Sequence, residues 1–212
     1  MLISHDKKFI FIHIYKTGGT SVMHALQPFA RQVPRPMKLL LAVVNRYQIK
    51  LPAAIRRVLP YPMHSNAQFL RDALTPEVFD DYFTFAFVRN PWDLQVSLYH
   101  YAVKEPWNYH HKEIVALGSF DAYVEWRLKQ GQRQQNSFVV DEDGKRIVDF
   151  VGKMENIDAD FQEICKRIGV EAQLPHINKS AHKPYQDYYT DATRDAIGEL
   201  CREDIETFGY TF

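Results

Sequence analysis

Two uninterrupted apolar runs organise the first half of the chain. Residues Phe9 to Tyr15 (FIFIHIY) and Phe83 to Arg89 (FTFAFVR) lack the apolar–polar alternation of a strand with one wet face, so both are predicted as strands covered on both sides. Each runs straight into a loop and a helix-like stretch, which predicts an α/β fold with a central parallel sheet flanked by helices. Caps and periodicity place the helices. Ser65 heads one over 65–74, Thr75-Pro76 starts a short one, and Ser119 opens another that stops at Gly131. Phe161, Ile164, Cys165 and Ile168 make an amphipathic stripe ended by Gly169, and Ile197, Leu200, Cys201 and Ile205 make one ended near Gly209. Between them VVDEDGKRIVDFVG reads as a hairpin turning at Asp143-Gly144. The stretch from Pro34 to Pro62 mixes apolar and basic residues between prolines and is read as a helical insertion over a site. No repeat interrupts the pattern, and residues 1–212 read as one domain.

Composition adds a compartment and a charge asymmetry. With 46% hydrophobic and 14% aromatic residues the chain can bury one sizeable core. Cys165 and Cys201 fall at apolar helix positions, as small buried thiols in a reducing compartment do. The first apolar run is too short to span a bilayer and precedes no small-residue cleavage site, so a cytoplasmic protein without signal or anchor is expected. The net charge of zero is uneven: from Lys7 to Arg71 there are eleven basic residues and no acidic one, which leaves 15 of the 26 basic residues against all 26 acidic ones elsewhere. The first third looks built around anions, whether nucleotide, nucleic acid or membrane surface.

The chemistry concentrates after the two strands. Lys16-Thr17-Gly18-Gly19-Thr20-Ser21 has the makings of a phosphate cradle, in which glycines let amide groups close on an anion at a helix N-terminus and a lysine supplies charge. It is not a Walker loop, because the lysine precedes the glycines. After the second strand, Arg89 ends the run, Asn90 is a natural N-cap, Pro91 suits the first helical position and Asp93 favours the helix start. Ser97 lies in the apolar stripe of that helix. Two readings stand for this pair: a receptor for an anion at the strand edge, or Arg89 paired with a carboxylate and Ser97 back-bonded to the carbonyl four residues earlier.

Taken together, the two stretches resemble the sulfotransferases that use 3′-phosphoadenosine 5′-phosphosulfate (PAPS). In that family a P-K-T-G-G-T-S loop binds the 5′-phosphosulfate and R-N-P-x-x-x-x-x-S binds the 3′-phosphate. They stand here as Lys16 to Ser21 and as Arg89, Asn90, Pro91 and Ser97, with Tyr15 where the family has proline. The closest subgroup looks like the heparan sulfate 2-O-sulfotransferase kind of carbohydrate O-sulfotransferase and its short bacterial relatives, and LPHINKSAHKPYQDYY and ETFGYTF are also similar. The resemblance implies a P-loop-like sulfotransferase fold, PAPS as cosubstrate, no required metal, a hydroxyl-bearing acceptor such as a carbohydrate, and no nucleic-acid partner. It casts Lys16 against the oxygen bridging phosphate and sulfate, Thr17 to Ser21 around the 5′-phosphate, and Arg89 and Ser97 on the 3′-phosphate.

His64 in YPMHSNAQFL matches the second histidine of the subgroup's Y-H-G-H segment, with Pro62 in place of the first. Set before the proposed helix at Ser65, it is the expected base, a structural donor being the alternative. Asn178-Lys179-Ser180 resembles the family's R-K-T segment that closes over the adenosine and 3′-phosphate, a solvated loop being the alternative. His13 reads as a core histidine and Glu155 as a cap or an arginine partner. Trp92, Trp107 and Tyr109 serve as packing or as surfaces for a ring. His110-His111 lacks companion ligands for zinc. A P-loop-type kinase using ATP and a non-catalytic polyanion-binding module are the competing functions.

Overall fold

The computed structural model describes residues 1–30, 61–74, 76–175 and 183–212. Lys179 and Ser180, and residues 34–60 of the expected insertion, lie outside them. In chain order the elements are β1 (Leu2–Ser4), β2 (Phe9–Ile12), α1 (Gly19–Leu26), α2 (Ala67–Leu74), α3 (Pro76–Asp81), β3 (Phe83–Val88), α4 (Pro91–Lys104), α5 (His111–Leu117), α6 (Phe120–Gln130), β4 (Phe150–Lys153), α7 (Ile157–Ile168), α8 (Asp191–Leu200) and α9 (Arg202–Phe208).

The strands lie in the order β1-β2-β3-β4. β2 pairs parallel to β3, with Phe11 opposite Phe85, and β3 parallel to β4, with Phe87 opposite Gly152. Short β1 is antiparallel on the β2 edge. The fold is thus the expected α/β one, with a mostly parallel sheet between helices. Its two faces are both apolar because alternate residues of β2 and β3 go to opposite sides. Phe9, Phe11, Phe85 and Phe87 meet Val22 and Leu26 of α1 and Phe161, Ile164 and Cys165 of α7. Ile10, Ile12, Ala86 and Val88 meet Leu70 of α2, Phe79 of α3, Phe138 and Val139. A third core joins α4, α5, α6 and α8 around Trp92, Val96, Ile114, Tyr123 and Ile197. Among the described residues no helix is long and apolar enough to cross a membrane.

Four local expectations change. β2 stops at Ile12, before His13 and Ile14. The helix read from Ser65 begins at Ala67, with the Asn66 side chain accepting the Phe69 amide at 3.0 Å. Ser65 instead donates its hydroxyl to the Pro62 carbonyl at 2.9 Å, closing the preceding turn, and asparagine caps as well as serine does. The hairpin keeps its turn, Gly144 at φ 77 and an antiparallel bridge from Val140 to Arg146, but its second arm leaves the pair. Asp149 takes both the amide and the hydroxyl of Thr84, at 2.7 and 2.8 Å, and so delivers residues 150–153 to the free edge of β3 as β4. Finally, the last amphipathic stripe is two helices, α8 and α9, broken at Cys201.

Gly152 shows how closely α7 lies on the sheet. A methyl group there would stand 2.6 Å from Phe87 Cε1 and 3.2 Å from Asp160 Cβ. Gly152→Ala is expected to cost roughly 1–3 kcal/mol by overpacking, read as a lowered Tm. An unchanged Tm would mean that the interface between β4 and α7 gives way freely.

Candidate functional site

The parallel register sets the carboxyl ends of β2 and β3 side by side, and the predicted cradle and Arg89 emerge there. Gly18, at φ 77, sits in the left-handed region, and a side chain on it would meet Ile157 Cδ1 at 2.5 Å. Gly19 is required by a different crowding, since a Cβ would lie 2.0 Å from His13 Cδ2. The pair of glycines therefore lets the loop turn between α7 and the His13 ring into α1. Among the described residues, no hydrogen bond engages the amides of Lys16 to Thr20, as an anion-binding nest requires. Ser21 differs: its amide turns into the helix start, toward the Gly18 carbonyl at 3.0 Å. The Thr17 hydroxyl is buried and donates to the Ile14 carbonyl at 2.9 Å, holding the loop's own turn, while Thr20 is exposed.

Arg89 crosses from the second strand end to the first. Its Nη1 donates to the main-chain carbonyl of Lys16 at 3.2 Å, and its Nε to Asp93 at 2.8 Å. Of the two readings of Arg89, the pairing with a carboxylate is the one observed, and it engages Nε with Asp93. Ser97, a turn along α4, is buried, and its hydroxyl has no hydrogen-bond partner among the described residues, the back-bond to the Asp93 carbonyl included. Lys16 itself lies at φ 62 with its ammonium 4.3 Å from the centre of the Tyr101 ring. Burial, then the Arg89 guanidinium, hold its pKa below the usual lysine range.

His64 is exposed and faces the same corner. Its Nδ1 lies 2.9 Å from the His13 carbonyl, an oxygen that can only accept, so in the neutral ring Nδ1 carries the proton and Nε2 the lone pair. That carbonyl sets the tautomer. The His13 ring packs 4.7 Å from the His64 ring. Burial holds the His13 pKa down to about 3, and its buried Nδ1 has no partner among the described residues. His13 is therefore a neutral wall of the loop, less satisfied than a core histidine is expected to be. Tyr15, in the proline position, ties the loop by its hydroxyl: it donates to the Arg133 carbonyl at 3.0 Å and accepts from Gln132 at 2.6 Å. Its ring stands edge-on to His64 and Phe138.

The positioning of Arg89 depends on residues without a motif. Gln135 clamps the arginine backbone from both sides, accepting its amide and donating to its carbonyl, each at 2.9 Å. Asp204 of α9, buried, fixes that segment by accepting the amides of Gln135 and Asn136 at 2.8 Å. Glu155, expected as a cap or an arginine partner, accepts the Asn90 amide at 2.6 Å and the Tyr210 hydroxyl at 3.2 Å. Asn90 caps α4 as predicted, accepting the Trp92 amide, and donates to the Thr211 carbonyl at 2.8 Å. Of the aromatic residues singled out, Trp92 is core, while Trp107 and Tyr109 are exposed. His111 Nδ1 donates to the Ala102 carbonyl and His110 pairs with Glu113. Among the described residues no cluster of three metal-ligating side chains occurs.

Comparison with known proteins bears on this corner. A model of the sulfotransferase family matches residues 1–211. An uncharacterized protein of Archaeoglobus fulgidus is 30% identical over 121 residues, which span 57% of this chain and 96% of that one. The crystal structure of mouse sulfotransferase SULT7A1 complexed with PAP is similar at a TM-score of 0.54 and 13% identity, over 96% of this chain and 86% of that chain, a likeness of fold. With that family matched from the first residue to the last but one, over a sheet that joins the two motif loops at neighbouring strand ends, the chain belongs to the sulfotransferase family.

Proposed function

We propose that this chain transfers the sulfuryl group of PAPS to an acceptor hydroxyl on a carbohydrate or a glycosylated small molecule. The observation that supports the reading most is the 3.2 Å bond from the Arg89 guanidinium to the Lys16 carbonyl, which brings the two loops together. PAPS differs from ATP at its ribose 3′-phosphate, so selecting it takes two anion seats. The amides of Gly18 to Thr20 at the start of α1 suit a 5′-phosphate, with the Thr20 and Ser21 hydroxyls beside them. Arg89, through the N–H groups that Asp93 and the Lys16 carbonyl leave, and the Ser97 hydroxyl suit a 3′-phosphate. Lys179 and Ser180 belong to this second seat in the same reading.

The residues divide the transfer step between them. Lys16 offers its ammonium to the oxygen between phosphorus and sulfur, where charge builds as that bond breaks. His64 offers the Nε2 lone pair to the acceptor proton. The reading takes residues 1–212 as one sulfotransferase domain in the cytoplasm, with the basic segment 34–62 beside an acceptor of the kind that heparan-type O-sulfotransferases use. An ATP kinase is disfavoured by the lysine placed before the glycines.

Calorimetric titration separates a two-seat site from a general anion trap. Wild type is expected to bind 3′,5′-ADP about 10- to 100-fold more tightly than 5′-ADP, the worth of a charge-assisted bond, and Arg89→Ala to lose that preference. Equal affinities in wild type would sink the PAPS reading, and a strong salt dependence without nucleotide preference would favour polyanion binding. For the chemical step, Lys16→Ala should lower the release of 3′,5′-ADP from PAPS by about 10²- to 10³-fold while nucleotide binding falls far less. In wild type that release should decline as pH rises through the depressed pKa of Lys16, since only the ammonium stabilises the leaving oxygen. His64→Ala should keep nucleotide affinity and reduce transfer to saccharide acceptors by about 10²-fold or more. Undiminished transfer would pass the role of base to another residue.

A further inference from the structure

We propose that Tyr101 is a positioning residue for Lys16, its ring face holding the lysine ammonium at the mouth of the loop. The functional half of this proposal rests on the sulfuryl-transfer reading, while the structural half stands on its own. Lys16 leaves the loop from a left-handed backbone, φ 62, and its Nζ lies 4.3 Å from the centroid of the Tyr101 ring. An ammonium at that distance is drawn to the negative face of the ring. Tyr101 stands one helical turn beyond Ser97 on α4, so the two side chains share the side of the helix that looks toward the loop.

The surroundings explain why such a hold is needed. Lys16 is half-buried, and the charged groups around it come from two elements. Arg89 at the end of β3 and, more weakly, Lys104 in the last turn of α4 disfavour its charge, while Glu105, just past α4, favours it. Glu105 is partly engaged elsewhere, accepting the Trp107 indole N–H at 3.0 Å. Trp107 in turn packs edge to face on Tyr101, with centroids 5.5 Å apart and planes at 81°, which fixes the ring that receives the ammonium. A long, flexible side chain crowded by two other cations is thereby kept charged and pointed, ready to meet an anion in the cradle. No sequence motif marks Tyr101, because the contact spans 85 positions of the numbering between a loop and a distant helix.

The test compares Tyr101→Phe, which keeps the ring, with Tyr101→Leu, which removes it. In the ligand-free protein the Lys16 side chain is titrated by NMR, its resonance assigned through its loss in Lys16→Met. The apparent pKa of Lys16 is expected to stay at the wild-type value in Tyr101→Phe and to fall by about half a unit or more in Tyr101→Leu. The second readout is hydrolysis of PAPS: water attacks sulfur, the bond from sulfur to the bridging oxygen breaks, and that oxygen leaves with the electron pair as 3′,5′-ADP, with sulfate and a proton as the other products. This rate should fall about tenfold in Tyr101→Leu and hold within about twofold in Tyr101→Phe, with the affinity for 3′,5′-ADP unchanged in both. If leucine disturbs α4, Tyr101→Met makes the same comparison with a longer side chain. An identical Lys16 pKa with and without the ring overturns the proposal, and so does a hydrolysis rate indifferent to the ring. Should wild type neither turn over PAPS nor prefer 3′,5′-ADP, the nucleotide reading fails instead, and the Lys16 titration still decides whether Tyr101 holds the ammonium.

Discussion

Crowding of positive charge at two adjacent strand ends is the constraint on which this molecule turns. Parallel pairing of β2 with β3 leaves Lys16 and Arg89 in contact through the Lys16 carbonyl, and Arg89 depresses the lysine's affinity for its proton. Asp93 offsets part of the guanidinium charge, and the Tyr101 ring part of the ammonium's. The loop amides that face the same corner add further positive potential. Such an arrangement is costly in the absence of an anion and strongly favourable with one. The proposed nucleotide, with two phosphates and a sulfate, would put that imbalance to physical use.

Holding like charges together takes rigidity, and the fold supplies it from behind. Gln135 clamps the Arg89 backbone, Asp204 fixes Gln135, and Glu155 holds the neighbouring Asn90 amide. These supports come from the segment after α6, from α9 and from the turn after β4, so the arginine is fixed by three separate parts of the chain. Buried polar networks of this kind favour one conformation strongly because an unmatched member would be costly. Asp204 illustrates the balance: burial raises its pKa, and the two amides it accepts oppose that shift. The His13 ring, neutral and pressed against Gly19, performs the equivalent task for the cradle.

Local information determined the parts of this protein that obey local physics. The apolar residues 9–12 and 83–88, the glycines of the cradle, the Asn90-Pro91 cap and the amphipathic stripe of α7 each state in a few residues what the backbone there must do, and the parallel sheet follows from two buried strands that run into helices. The strand–loop–helix motif, the Asn90-capped start of α4 and the α/β class were therefore legible. What the chain alone left open was decided by contacts between residues far apart in it. The second hairpin arm became β4 because Asp149 met Thr84, the His64 tautomer was set by a carbonyl 51 residues away, and Gln135, Asp204 and Tyr101 took their places only once the helices had packed. A single polar side chain carries no periodicity and no cap signature, so its partner is known only when tertiary packing has removed the water that would otherwise satisfy it.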